Sequence, residues 1–198
     1  MNITLIDSPV ANVANIARAL RSVGGELCLT RDAGVVGDAR KIVLPGVGSF
    51  IAAMRWLEET RIDGALRAAV ARGATLLGIC VGHQVLFDSS DEMGATRGLG
   101  VLRGDVRRLH GPLPVPQIGW NRIECAETPL FEGIASGTPF YFVHSYAATG
   151  VASEIARAHY GGAFTAAAQS GRVFGVQFHP EKSSTAGLRV LKNFVESS

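Results

Sequence analysis

The run Thr75-Leu76-Leu77-Gly78-Ile79-Cys80-Val81-Gly82-His83-Gln84 constrains this chain more than any other. TLLGI is apolar almost throughout, which suits a central strand buried on both faces. It leads straight into Gly-x-Cys-x-Gly, after which Val81 to about Ser89 reads as a helix. A strand that turns abruptly into a helix brings together the residues two before and two after the turn residue, where side chains would collide. Glycine at 78 and 82 removes that collision. Cys80 is then expected in a strained conformation with its thiol presented. The positive end of the following helix would favour the thiolate. A free cysteine is more commonly a small buried core residue; flanking glycines in a strand-to-helix context favour a nucleophile.

The segments around this turn alternate between strand and helix. ITLID is a short buried strand. Asn12 can cap a helix, NVANIARALRSVGG, whose Val13, Ile16, Ala17 and Leu20 recur at helical spacing and which Gly24 and Gly25 end. ELCLT and KIVLP are further strands, Pro45-Gly46-Val47-Gly48 is a glycine loop, and residues 49 to 59 and 62 to 72 are helical, closed by Gly73. This is the pattern of a parallel sheet covered by helices. The second half changes character: VLRGDVRRL, WNRIEC, PFYFVHSY, FTAAAQ and RVFGVQF read as strands between Gly, Pro and polar turns, and a helix from about Thr185 to Glu196 closes the chain. The expected fold is one three-layer α/β domain over residues 1–198, with a mixed sheet, and no repeat or linker interrupts it.

At 198 residues the chain can bury a sizeable core. A net charge of +2 argues for neither nucleic acid nor membrane binding. No apolar run reaches the ~18 residues of a membrane span, and MNITLID lacks a signal-peptide pattern, so the expected location is cytoplasmic. Cys28, Cys80 and Cys125 suit neither a disulfide framework nor a zinc site, and no metal or cofactor is expected. Arg103, Arg107, Arg108 and Arg122 read first as solvated surface and second as an electrostatic docking patch. His144 reads as a structural hydrogen bonder, and His110 and His159 receive no role.

Two further pieces suit a cysteine nucleophile. Gln177-Phe178-His179-Pro180-Glu181 ends the strand RVFGVQF. In extended chain His179 and Glu181 face the same way, and Pro180 forbids helix at His179. Glu181 could orient the imidazole, and His179 could take the thiol proton. Attack on an amide makes an oxyanion that needs two aimed donors. The N–H of Val81 is one candidate and that of Val47 or Gly48 the other, although the PGVG loop alone would pass for a plain tight turn.

Together the elbow cysteine, PGVG loop and QFHPE resemble the class I (triad) glutamine amidotransferases, whose domain is flavodoxin-like with a mostly parallel central sheet and added antiparallel strands. Within that class LPGVGSF, GICVGHQVLF, VPQIGWN with YFVHSY, and QFHPEKS with GLRVLKNF resemble the glutaminase subunits of imidazole glycerol phosphate synthases. The match runs from about Lys41 to Phe194, and carrying both GWN and HSY is its most discriminating feature. The resemblance implies that Cys80 attacks the side-chain amide of L-glutamine, with His179 as base and acid and Glu181 orienting it. Gly46, Gln84, Ser145 and Tyr146 would bind substrate. Asn12, Trp120, Asn121 and Lys182 would meet the partner of a heterodimer, a cyclase subunit with a (β/α)8 barrel that receives the ammonia. Asp7-Ser8-Pro9-Val10-Ala11-Asn12 departs from the family's D-Y-G-x-G-N, His83 stands where methionine is usual, and Gln117 where histidine is more frequent. Flanking glycine would let the Gly46-Val47 peptide withhold its N–H until the partner's substrate binds. The residues also leave open a glutaminase for another synthase such as an anthranilate-type one, a cysteine hydrolase on the same elbow, and a non-catalytic regulatory paralogue.

Overall fold

The computed structural model describes residues 2–9 and 12–197. Its first half runs β1 (Asn2–Ile6), α1 (Val13–Ser22), β2 (Glu26–Thr30), α2 (Ala33–Asp38), β3 (Lys41–Gly46), α3 (Phe50–Glu59), α4 (Ile62–Ala71), β4 (Thr75–Cys80) and α5 (Val81–Gln84). The second half runs β5 (Ser89–Ser90), β6 (Thr96–Arg97), β7 (Asp105–Arg108), β8 (Gln117–Cys125), β9 (Pro139–His144), β10 (Tyr146–Ala148), β11 (Glu154–His159), β12 (Ala163–Ser170), β13 (Val173–Val176) and α6 (Ser184–Glu196).

Among the described residues the main sheet has nine strands in the order β2-β1-β3-β4-β13-β12-β11-β8-β9. From β2 to β13 all pairings are parallel, and from β13 outward all are antiparallel. The step from β1 to β2 runs in the opposite direction along the sheet from the steps β2 to β3 and β3 to β4. Right-handed crossovers therefore put the connecting helices on opposite faces. In agreement, α1 packs against α6, while α2 and α3 pack against α4. This is the three-layer mixed α/β arrangement expected. β3 and β4 are buried along their whole length, as the apolar TLLGI run requires of a strand between two others. A smaller sheet, β10-β7-β5-β6, stands beside the main one.

Several elements differ from the sequence reading. The helix expected from Val81 to Ser89 stops at Gln84, because the carbonyls of Val85, Leu86 and Phe87 accept from Leu99, Leu102 and Gly100 of the returning chain. α2 went unread: two of its six residues are glycine and only Val36 is buried, and its start depends on Asp32, whose carboxylate accepts from the N–H of Gly34 and Val35. β11 was also missed, since EIARAH carries little β-propensity and is a strand because β12 and β8 pair with it on both sides. PFYFVHSY splits into β9 and β10 at Ser145. No helix among the described residues is long and apolar enough to cross a membrane.

Candidate active site

The order β3-β4-β13 sets three loops side by side at the carboxyl ends of parallel strands, where open α/β sheets place their ligands. Cys80 ends β4 at φ +56° and ψ −112°. That conformation is strained for a residue with a side chain, and such strain clusters at functional sites. The glycines around it are demanded by backbone proximity. A Cβ on Gly78 would lie 2.5 Å from the Gly82 carbonyl oxygen, and one on Gly82 only 2.0 Å from that of Leu44. Gly46 pairs in register with Cys80, and a Cβ there would lie 2.7 Å from the Gly82 nitrogen. Gly46 is thus a packing glycine and does not line the cleft. Because α5 has only four residues, the helix-dipole support anticipated for the sulfur is weaker than a full helix would supply.

His179 follows β13 and is held from both sides. Its N–H donates to the Tyr141 carbonyl (2.9 Å), and its own carbonyl accepts from the Ser183 hydroxyl (2.6 Å). The expectation that His179 and Glu181 share one extended stretch needs correction: His179 is extended, but Pro180–Lys182 form a 3-10 turn that carries the carboxylate back toward the ring. Glu181 Oε1 meets His179 Nδ1 at 2.9 Å, and Cys80 and His179 line one cleft, close enough for the sulfur to act on the ring. Burial by itself would lower the imidazole pKa. Hydrogen bonds to Cys80 and Glu181, and the negative charge of both, outweigh it and raise the value to about 10. The Glu181 side chain is buried and its Oε2 has no hydrogen-bond partner among the described residues, so the His179 ring, once protonated, is what compensates its charge.

A cleft of about 320 Å³ opens over these groups, lined by Val47, Gly48, Val81, Gln84, Ser145, Tyr146 and Lys182 together with Cys80 and His179. Gly48 has φ +87°, a left-handed turn that glycine adopts without strain. Both N–H bonds of the Gln84 amide are committed, to the Tyr146 carbonyl (2.7 Å) and to Gln177 Oε1 (3.0 Å), so only its Oε1 remains for a ligand. Of the residues assigned to a partner surface, Trp120 is 55 % exposed and stacks edge-on with Tyr141 at 6.1 Å, and Lys182 sits 5.7 Å above the same Tyr141 ring. These three form one cluster, with Lys182 also lining the cleft and Tyr141 half-buried between the other two; Ile118, two residues before Trp120 on β8, is 64 % exposed. Asn121 belongs to the other side of β8, tied to the His159 carbonyl (2.9 Å), and Asn12 caps α1 by accepting from the Asn15 N–H (3.4 Å). Val10 and Ala11 of the departing loop lie outside the described residues.

Sequence reasoning missed Glu92, which lines the cleft while its Oε2 accepts from the Phe50 N–H (2.7 Å) at the start of α3. Nothing in SSDEMG distinguishes it from an ordinary loop carboxylate. Gln177, quoted only as part of a motif, is fully buried beside Cys80. His144 is the hydrogen bonder expected, contacting the Tyr146 carbonyl (2.9 Å) and the Gln117 amide (3.0 Å). Two of the four arginines of that stretch are ion-paired, Arg103 with Asp88 and Arg107 with Asp91 and Asp105, and Arg122 donates to the Gly137 carbonyl.

His83 is fully buried against Phe87, and neither ring nitrogen has a hydrogen-bond partner among the described residues. Burial, then the charge of His144, lowers its pKa to about 3. A neutral ring with an orphaned donor costs stability. Below pH 6.5 the unfolded chain takes up a proton here that the native state refuses, so stability is fully present above 6.5 and lost as pH falls toward 3. Replacing His83 with Met is expected to raise stability by about 1 kcal/mol at pH 8 and by about 2 kcal/mol more at pH 5. Urea denaturation at the two pH values checks this; an equal gain at both would refute the buried neutral ring.

Comparisons with known proteins agree on one family. The glutamine amidotransferase class-I family profile matches residues 4–197. The "Imidazole glycerol phosphate synthase subunit HisH" of Moorella thermoacetica is 44 % identical over 197 residues, covering 98 % of this chain and 94 % of that protein. The protein of the same name from Pectobacterium atrosepticum is 43 % identical, covering 99 % of this chain and all of its own length. Among solved structures, one titled "Crystal structure of glutamine amidotransferase" superposes with a TM-score of 0.77 at 21 % identity, covering 98 % of this chain and 97 % of that one. "Structure of PurLQS from Thermotoga maritima" gives 0.75 at 20 % identity, covering 98 % and 96 %. At such identities these structures speak for the fold alone, whereas the profile and the close relatives speak for ancestry: the chain belongs to the class-I glutamine amidotransferases, and within them to the family of imidazole glycerol phosphate synthase HisH subunits.

Proposed function

We propose that this chain is the cytoplasmic glutaminase subunit of an imidazole glycerol phosphate synthase, with residues 1–198 serving as one glutaminase domain. The observation that carries the chemistry is that the Cys80 sulfur and the His179 ring line one cleft, with the Glu181 carboxylate bonded to the ring at 2.9 Å. Cys80 loses its proton to His179 and its sulfur attacks the side-chain amide of glutamine. The oxyanion takes N–H bonds from Val81 and from Val47 or Gly48. His179 returns the proton to the departing nitrogen, leaving a glutamyl thioester and ammonia. Water then attacks the thioester, with His179 accepting its proton, and glutamate and the free thiol are restored. Glu181 keeps the imidazole oriented and offsets its charge in each half. Gln84 Oε1 accepts from the substrate, and Glu92, the carboxylate among the cleft's lining residues, suits the α-ammonium group.

The partner is the cyclase subunit, a (β/α)8 barrel that uses the ammonia to make imidazole glycerol phosphate and aminoimidazole carboxamide ribonucleotide. The cluster of Trp120, Tyr141 and Lys182, the last of which lines the cleft, together with exposed Ile118 on the same strand as Trp120, suits its docking, since a large exposed aromatic is what interface centres use. Trp120→Ala should weaken partner affinity about 30-fold, from the ~2 kcal/mol typical of a central anchor, as measured by titration calorimetry; wild-type affinity would place the interface elsewhere. The function itself is tested by combining the chain with the cyclase subunit, its ribonucleotide substrate and glutamine. Imidazole glycerol phosphate should form, and ammonium salt should replace glutamine and this chain together. Glutamine hydrolysis supporting only an anthranilate-forming partner would reassign the synthase.

A further inference from the structure

Behind the nucleophile lies a buried chain of amides that the triad chemistry does not use. The Tyr146 carbonyl can only accept a hydrogen bond, so the Gln84 atom 2.7 Å from it is the amide nitrogen. The second N–H of that nitrogen points to Gln177 at 3.0 Å, which requires the Gln177 oxygen there. The Gln177 nitrogen is thereby left facing the Cys80 sulfur, at 3.9 Å. One backbone carbonyl thus sets the orientation of both amides, and the sulfur meets an N–H donor by construction. The sulfur also lies 3.9 Å from the Val143 carbonyl. A thiol can donate to that carbonyl; a thiolate cannot, and gains from the Gln177 N–H instead. Gln177 is fully buried, and its backbone N–H is fixed to the Ala166 carbonyl (2.9 Å), so the donor is held rigidly.

We propose that Gln177 is a positioning residue for the Cys80 sulfur: oriented by Gln84 and the Tyr146 carbonyl, its amide N–H meets the charge that appears when the thiol gives up its proton. This deepens the glutaminase reading and rests on Cys80 being the nucleophile. Gln84 then has two roles, its nitrogen holding Gln177 and its oxygen facing the cleft.

The test uses the complex with the cyclase subunit. Gln177→Met preserves volume and removes the donor. A hydrogen bond to a charged group is worth roughly a 10- to 100-fold change in equilibrium, and kcat for glutamine hydrolysis should fall by a factor of that size while KM stays near its wild-type value. The pH profile of iodoacetamide alkylation at Cys80 should move to higher pH. Gln177→Glu keeps an oxygen for Gln84 to donate to, and so the local packing, but turns an acceptor toward the sulfur; its alkylation should be slower than that of the Met variant at every pH. Thermal unfolding and circular dichroism set the folded fraction of each. Wild-type kcat and an unshifted alkylation profile in either folded variant would overturn the proposal, as would a loss confined to KM. A Cys80→Ala control separates the two levels: if it retains glutaminase activity the functional reading has failed, and if it is inactive while Gln177→Met behaves as wild type only the positioning role has.

Discussion

Cys80→Ala removes glutamine-dependent synthesis of imidazole glycerol phosphate by about four to six orders of magnitude and leaves ammonium-dependent synthesis by the complex intact. The size of the loss follows from the chemistry. Without the sulfur no thioester forms, and His179 and Glu181 have no nucleophile to activate, so removing one member of the unit costs nearly what removing all of it would. The residual rate comes from substrate binding and the oxyanion donors. The fold should survive, because Ala removes only one buried sulfur and keeps the same Cβ at φ +56°, leaving the backbone strain of the elbow unchanged. The measurement is the coupled assay with glutamine and with ammonium chloride in parallel. If the variant keeps more than about 1 % of the glutamine-dependent rate, well above the residue expected for a lost nucleophile, then another group attacks the amide. A drop in both arms would mean that the substitution disturbed docking rather than catalysis.

Gly82→Ala should destabilise the protein by about 3 kcal/mol or more, lowering Tm by roughly 6–12 °C for a chain of this size. The added Cβ would stand 2.0 Å from the Leu44 carbonyl oxygen and 2.9 Å from its carbon. Both atoms are backbone of β3, which is clamped between β1 and β4 and cannot withdraw without breaking a ladder. Gly73→Ala provides the contrast. That residue has φ +88° and open space around it, so its cost is limited to left-handed strain of about 1 kcal/mol. Calorimetry on the two variants reads the difference directly. If Gly82→Ala melts with Gly73→Ala, the elbow does not depend on the close approach of Gly82 to the Leu44 carbonyl. Activity should fall in the Gly82 variant even below its melting point, because relief of the clash moves Cys80 away from His179.

What could be read along the chain was whatever short-range geometry imposes. The Gly78–Gly82 spacing demands its turn within five residues, and the burial of TLLGI follows from composition alone. His179 and Glu181 were paired from two positions' separation, although the 3-10 turn joining them was not foreseen. Elements whose existence depends on distant neighbours were misread. α5 ends where Leu99, Gly100 and Leu102 take its next carbonyls; β11 exists because strands flank it; Asp88, Asp91 and Asp105 neutralise arginines that looked free.

The sequence by itself nominated the chemistry, namely the residue proposed to attack and the pair proposed to move the proton, and it determined which glycines the strand-to-helix turn cannot do without, since each is a local steric or chemical requirement. The tertiary structure alone decided adjacency. It set β4 between β3 and β13, so that a sulfur, an imidazole 99 positions away and the PGVG loop share one cleft, and it brought Glu92 to Phe50 and Gln84 and Gln177 to Cys80. Strand order is a property of the whole sheet's packing, and no window of the chain contains it.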